Sequence, residues 1–86
     1  EEPLPNYEVT VPPQSPVLGK SIGALKFWQS TGATIVAIRR GQSVILSPGP
    51  YAELYEGDVI VLVGNAAAAQ AARRFVSVKE AVNDPI

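Results

Sequence analysis

Two adjacent arginines, Arg39 and Arg40, stand between an apolar run, Thr34–Ile38, and a second run, Ser43–Leu46. A guanidinium matches phosphate oxygens in bidentate geometry, so a cationic pair beside buried strands suits a phosphate-bearing ligand. In an extended segment neighbouring side chains leave on opposite sides, so one arginine can reach a ligand or partner while the other is solvated. The alternative is that both sit at a hairpin end and bind nothing. Arg40 is favoured for an ion pair with an acid such as Asp58, and Arg39 for outward contacts. Glu53, Glu56 and Asp58 offer hard oxygens of the kind that suit calcium or magnesium, but their spacing fits no loop motif. Solvated surface is the better reading, and no metal site is expected.

The rest of the composition narrows the chemistry. The 86 residues contain no cysteine and no histidine. Disulfides, thiolate nucleophiles, imidazole catalysis and the common zinc sites are therefore excluded, and no nucleophile and base pair is visible. The expectation is a protein that is not an enzyme and needs no cofactor. Seven basic and eight acidic side chains leave a net charge of −1. That argues against a DNA or RNA partner bound through a broad basic face. No apolar run approaches the ~18 residues of a membrane span, and no signal peptide is apparent, so a soluble chain is expected. A start at Glu1 and the lack of methionine suggest a piece of a longer polypeptide.

A single domain of this size buries only roughly 60% of its unfolded surface, which makes a partner chain plausible. Tyr7–Val11 alternates apolar and polar residues, the period of a half-buried strand, and Pro12 and Pro13 end it. Gln14–Lys20 reads as loop. Ser21 is an N-cap candidate for a short helix whose ridge is Ile22, Leu25 and Trp28. Phe27 would then point away from that ridge. Either the helix unwinds before Ser30–Gly32, or one aromatic lies on a surface that something else covers; the favoured reading puts both in the core.

Thr34–Ile38 is β-branched enough for a strand covered on both faces, and Gly41-Gln42 turns it back into Ser43–Leu46. Pro48-Gly49-Pro50 is a rigid corner, with Pro48 or Pro50 available as a pocket wall. Val59–Val63 is the best candidate for a central strand, with Asp58 holding the turn before it through backbone hydrogen bonds. Asn65 caps an alanine-rich helix that ends with Arg73 and Arg74, its small side chains suited to lie close on the sheet or on a second copy. Val76–Val78 is read as an edge strand. The sum is a small α+β unit: strand, helix, three strands, helix.

Four stretches in this order, Gly19–Ile22, Gly32–Gly41, the Pro48 region and Gly57–Gly64, resemble the C-terminal domain of regulator-of-potassium-conductance (RCK) proteins, the TrkA C-terminal domain. The resemblance spans about Tyr7 to Phe75. Trp28–Thr34 together with Ser47–Tyr51 is most similar to regulatory subunits of bacterial potassium/proton antiporters of the KhtT kind. It implies a βαβββα fold over residues 6–76, with a linker-like lead-in at 1–5 and a tail at 77–86. It further implies a homodimer, a cytoplasmic place at the inner membrane, and regulation of a cation/proton antiporter or potassium channel. Several relatives bind cyclic di-AMP at the dimer interface.

Carried over residue by residue, the nucleotide site implied by the resemblance is mixed. Where relatives show an Asp-x-Arg on the first helix and an Asn before the second strand, this chain has Lys26, Trp28 and Thr34, while Ile22 and Ile35 keep the apolar positions. Trp28 can stack on adenine, Thr34 can donate to a phosphate, and Lys26 or Arg39 can supply charge. The ligand-binding candidates are therefore Ile22, Lys26, Trp28, Thr34, Ile35, Arg39, Arg40 and Pro50. The competing reading is a purely structural dimerisation domain without a ligand. With no histidine, pH sensing near neutrality would need a strongly shifted carboxylate or another domain.

Overall fold

The computed structural model describes residues 5–78. Its elements are β1 (Asn6–Thr10), α1 (Ile22–Leu25), α2 (Phe27–Thr31), β2 (Thr34–Arg40), β3 (Ser43–Leu46), β4 (Val59–Val63) and α3 (Ala66–Val76). This is the expected α+β order with its first helix in two pieces. The four strands form one antiparallel sheet in the order β1-β4-β2-β3. The most aliphatic strand, β4, is central as its sequence predicts. Of the expected lead-in and tail, residues 1–4 and 79–86 lie outside the described residues.

The core lies on one side of the sheet. Ile60 and Leu62 of β4 and Ile38 of β2 are fully buried there, together with Val9, Phe27 and the helix residues Ala68, Ala72 and Val76. Each fully buried isoleucine or leucine contributes roughly 1.5–3 kcal/mol. Alanines let α3 approach closely: a Cβ on Gly64 would come within 3.2 Å of the Ala68 methyl. Leu54 and Val17 are also buried core residues. Both sit in loops, where periodicity gives no signal for them.

Three expectations are corrected. The first helix does not continue from Ile22 to Trp28. Lys26 adopts a left-handed conformation (φ 50°, ψ 52°), closing α1 through its N–H to the Gly23 carbonyl and starting α2 in a new direction. Phe27 therefore points inward at 2% exposure, edge-on to Phe75 with ring centres 5.4 Å apart, and Trp28 is 63% exposed. The two aromatics are thus not both in the core. Second, β2 is not covered on both faces: Thr34 and Val36 are exposed, and a bulge lies between Ile35 and Ala37. Third, Val76–Val78 is not a strand. Val76 ends α3, Ser77 caps it, and the Val76 carbonyl accepts a 2.7 Å bond from the buried Ser15 hydroxyl. That bond satisfies one of the carbonyls the last helical turn leaves without an intrahelical partner.

Both predicted N-caps are present. The Ser21 hydroxyl accepts from the Ala24 N–H at 3.1 Å, and the Asn65 side chain accepts from the Ala68 N–H at 2.8 Å. The β2–β3 turn needs Gly41, which sits at φ 59°.

Candidate functional site

A hollow of about 220 Å³ opens where α1, α2, the start of β2 and the Pro48–Pro50 corner meet. Ile22, Phe27, Trp28, Ala33, Thr34, Ile35, Pro48 and Pro50 line it. The elements explain the assembly. The break at Lys26 turns Phe27 into the floor and leaves Trp28 at the rim. The proline corner is tied to α1 by the Gly23 N–H, which donates to the Pro50 carbonyl at 2.8 Å. Thr34 and Ile35 enter from successive positions of β2 and so from opposite faces of the strand.

Five of the sequence-derived candidates meet in this hollow: Ile22, Trp28, Thr34, Ile35 and Pro50. Lys26 is exposed, one residue before the floor residue Phe27, and does not line it. Nor do the two arginines. Arg39 Nη2 donates to Glu8 Oε1 at 3.0 Å, both side chains about half exposed. Arg40 turns the other way and donates through Nε and Nη2 to the two Asp58 oxygens, each at 2.8 Å, with Nη2 also reaching the Glu53 carbonyl at 2.9 Å. Its guanidinium lies 4.9 Å from the centre of the Tyr55 ring.

Asp58 is buried and also accepts from the Tyr55 N–H at 2.9 Å, so it holds the turn as expected. Burial pushes its carboxyl up most strongly, but the Arg40 hydrogen bonds, the Tyr55 N–H and the Arg40 charge together hold it below the usual carboxylate range. The Asp58 hydrogen bonds in turn raise Arg40 above its ordinary value. The hydroxyl of Tyr55 donates to Glu53, which raises the tyrosine. These contacts engage both Asp58 oxygens. Among the described residues, no group of three carboxylate, histidine or cysteine side chains could hold a metal.

The walls of the hollow are aliphatic, aromatic and proline surfaces with one hydroxyl. Such a site takes a flat, weakly polar group by stacking and shape, and offers no cation to a phosphate from its own lining. Phe27, Ala33 and Pro48 complete it. Pro48 was available as a wall from the sequence, whereas Phe27 was read only as a core residue and Ala33 was not singled out. A larger hollow of about 360 Å³ lies between Pro16, Ser30 and the α3 residues Ala71, Arg74 and Phe75. None of the sequence-derived candidates reaches it.

The model of the TrkA-C domain family matches residues 6–77, and the chain belongs to that family. Among solved structures it resembles the RCK_C domain dimer of S. agalactiae BusR in complex with c-di-AMP. There the identity is 41% over 91% of this chain and 96% of that one, with a TM-score of 0.83. Longer S. agalactiae BusR in complex with its busAB-promotor DNA is 40% identical over 92% of this chain, with a TM-score of 0.84. This chain spans only 38% of that one. The RCK C domain of the potassium transport protein KtrA, in complex with cyclic diadenosine monophosphate, is 27% identical over 83% of this chain and 81% of that one, with a TM-score of 0.74. No curated protein matches the chain. No helix among the described residues is long and apolar enough to cross a membrane.

Proposed function

We propose that the chain is a regulatory ligand-sensing domain acting as a homodimer, with cyclic di-AMP as its effector and no catalytic role. The observation that carries the reading is the hollow, which gathers Ile22, Trp28, Thr34, Ile35 and Pro50 into one base-sized site. Its volume of about 220 Å³ is below the roughly 300 Å³ lower bound of ordinary small-molecule sites. One protomer thus accommodates one adenine, and a two-base ligand on a two-fold axis uses two. The complexes of BusR and KtrA domains with the same dinucleotide support the choice of effector.

Trp28 stacks on the base and Thr34 donates to a phosphate. Lys26, beside the hollow, supplies charge. Arg39 is an exchangeable cation, because its exposed pair with Glu8 is worth only about 0–1 kcal/mol and yields readily to a phosphate. Arg40, committed to Asp58, positions the loop instead of touching ligand. Binding of both protomers favours one dimer geometry, and the attached machinery reads it. That machinery is a potassium or other cation transport system at the cytoplasmic face of a membrane, the cation/proton antiporter being the narrower form.

A second reading of the output has its own support: the 40% identical BusR chain binds promotor DNA. Under it, the same sensing domain controls a DNA-binding segment of a longer polypeptide, since this chain has a net charge of −1 and no basic face predicted for itself. The effector claim is tested by calorimetry of the 86-residue chain with cyclic di-AMP. The expected result is heat with one ligand per two chains and a raised melting temperature. A dimer giving no heat and no thermal shift at high micromolar ligand leaves the ligand-free dimerisation domain as the correct reading.

A further inference from the structure

The larger hollow, of about 360 Å³, has the size of an ordinary small-molecule site, which the first hollow does not reach within one chain. Three elements supply its walls. Ala71, Arg74 and Phe75 stand at i, i+3 and i+4 and so share one face of α3, Ser30 comes from α2, and Pro16 from the loop after β1. That loop is pinned beside the helix end. The buried Ser15 hydroxyl donates to the Val76 carbonyl at 2.7 Å and accepts from the Val17 N–H at 3.2 Å, which fixes Pro16 between them. The edge-on Phe27–Phe75 contact holds α2 against α3.

The lining is apolar at Phe75, Pro16 and Ala71 and offers donors at the Arg74 guanidinium and the Ser30 hydroxyl. No carboxylate lines it, and among the described residues the ion pairs are Arg39–Glu8 and Arg40–Asp58, neither of which engages Arg74. A basic residue in the last turn of α3 complements the helix dipole, but Arg73 does that as well. Only Arg74 lines the hollow. A guanidinium takes a carboxylate by two parallel bonds, and an aromatic ring beside it takes a flat apolar body. A cation would find no acceptor there except the Ser30 oxygen.

We propose that this hollow is a second ligand site, for a small organic carboxylate with a flat apolar body, linked to the first hollow through the Phe27–Phe75 pair. The two sites lie back to back: Phe75 lines one, Phe27 lines the other, and their ring centres are 5.4 Å apart. Helix α2 serves both, with Trp28 in the first and Ser30 in the second. A ligand against Phe75 therefore bears on the floor of the first hollow through packed rings. The regulatory meaning of that link rests on the preceding reading of the first hollow, whereas the second site does not.

Amide NMR of the 86-residue chain titrated with benzoate tests the site. Saturable shifts centred on Ser30, Ala71 and Phe75 are expected, with a dissociation constant in the millimolar range for so small a fragment. Benzyl alcohol keeps the ring and acetate keeps the charge; each should bind at least about tenfold more weakly. Arg74→Ala removes a charged hydrogen bond and should weaken benzoate about tenfold or more. Ala71→Leu should fill the hollow with the same result, and Arg73→Ala should change nothing. Absence of saturable shifts, equal binding of benzyl alcohol or acetate, or binding indifferent to both Arg74→Ala and Ala71→Leu overturns the site. The Trp28 indole signal is expected to titrate with the Phe75 amide, and an indole that stays still overturns the link while keeping the site. Calorimetry without heat for cyclic di-AMP would sink the preceding reading and leave the benzoate result as it stands.

Discussion

Arg40 holds Asp58 by two parallel hydrogen bonds of 2.8 Å, Nε to Oδ1 and Nη2 to Oδ2, with the Asp58 side chain 1% exposed and the Arg40 side chain 40%. The pair joins the end of β2 to the start of β4. Through the Glu53 carbonyl and the Tyr55 N–H it also fixes the loop that follows the proline corner. Arg40→Ala strands a buried carboxylate. It should cost about 2 kcal/mol, below the roughly 3–5 kcal/mol of a fully buried pair because solvent already reaches the guanidinium. Urea unfolding measures this, and a loss under half a kilocalorie would show the pair to be incidental.

The same pair makes stability depend on acid. Asp58 is held below the usual carboxylate range in the folded chain, so the unfolded chain takes up its proton first, near pH ~3.9. Its contribution is fully present above that pH and is lost as the pH falls through the lower folded value. Thermal melts at descending pH should show a steeper decline for the wild type than for Asp58→Asn below about pH 4. Parallel curves would assign the acid sensitivity elsewhere.

Gly23 is constrained by contact. A Cβ there would lie 3.0 Å from both the Cβ and the carbonyl oxygen of Pro50, which its N–H holds at 2.8 Å. Gly23→Ala should push the corner outward at a cost of about 1–3 kcal/mol and weaken cyclic di-AMP binding. Chemical denaturation and calorimetry on the one variant read both effects. Unchanged binding in a destabilised variant would separate Pro50 from the ligand.

Trp28 offers the opposite combination. At 63% exposure its removal should change folding stability by less than about 0.5 kcal/mol. Lost stacking of about 1–3 kcal/mol per base should nevertheless lower dinucleotide affinity tenfold or more for Trp28→Ala. Titration calorimetry decides, and an unchanged affinity would remove Trp28 from the site.

The strands were legible because β4 and β2 are dense in β-branched residues and the turn between β2 and β3 carries Gly41. Both N-caps were legible from Ser21 and Asn65. The Arg40–Asp58 pair was legible as a charge that needed a partner. What stayed hidden was the turn at Lys26. A left-handed residue is signalled by glycine or asparagine, and a lysine there gives no warning, so the ridge Ile22-Leu25-Trp28 was projected through a break. That one dihedral decides which aromatic is buried. The open face of β2 was hidden for a different reason: an aliphatic strand reads alike whether helices or another copy cover it.

The break at Lys26 divides the walls of the hollow between separately anchored parts. Ile22 is tied to the loop, because Ile22 and Gly23 donate to Ala52 and Pro50, Gly19 donates to Leu54, and Leu54 donates to Lys20 across the same seam. Phe27, and with it the helix α2 that carries Trp28, is packed on α3 through the Phe27–Phe75 contact. Thr34 and Ile35 belong to the sheet. A molecule seated there acts as a dowel through three boards. Its occupancy registers as lost play between them, which slower amide exchange at Gly23 and Lys26 would report, without requiring any part to take a new shape.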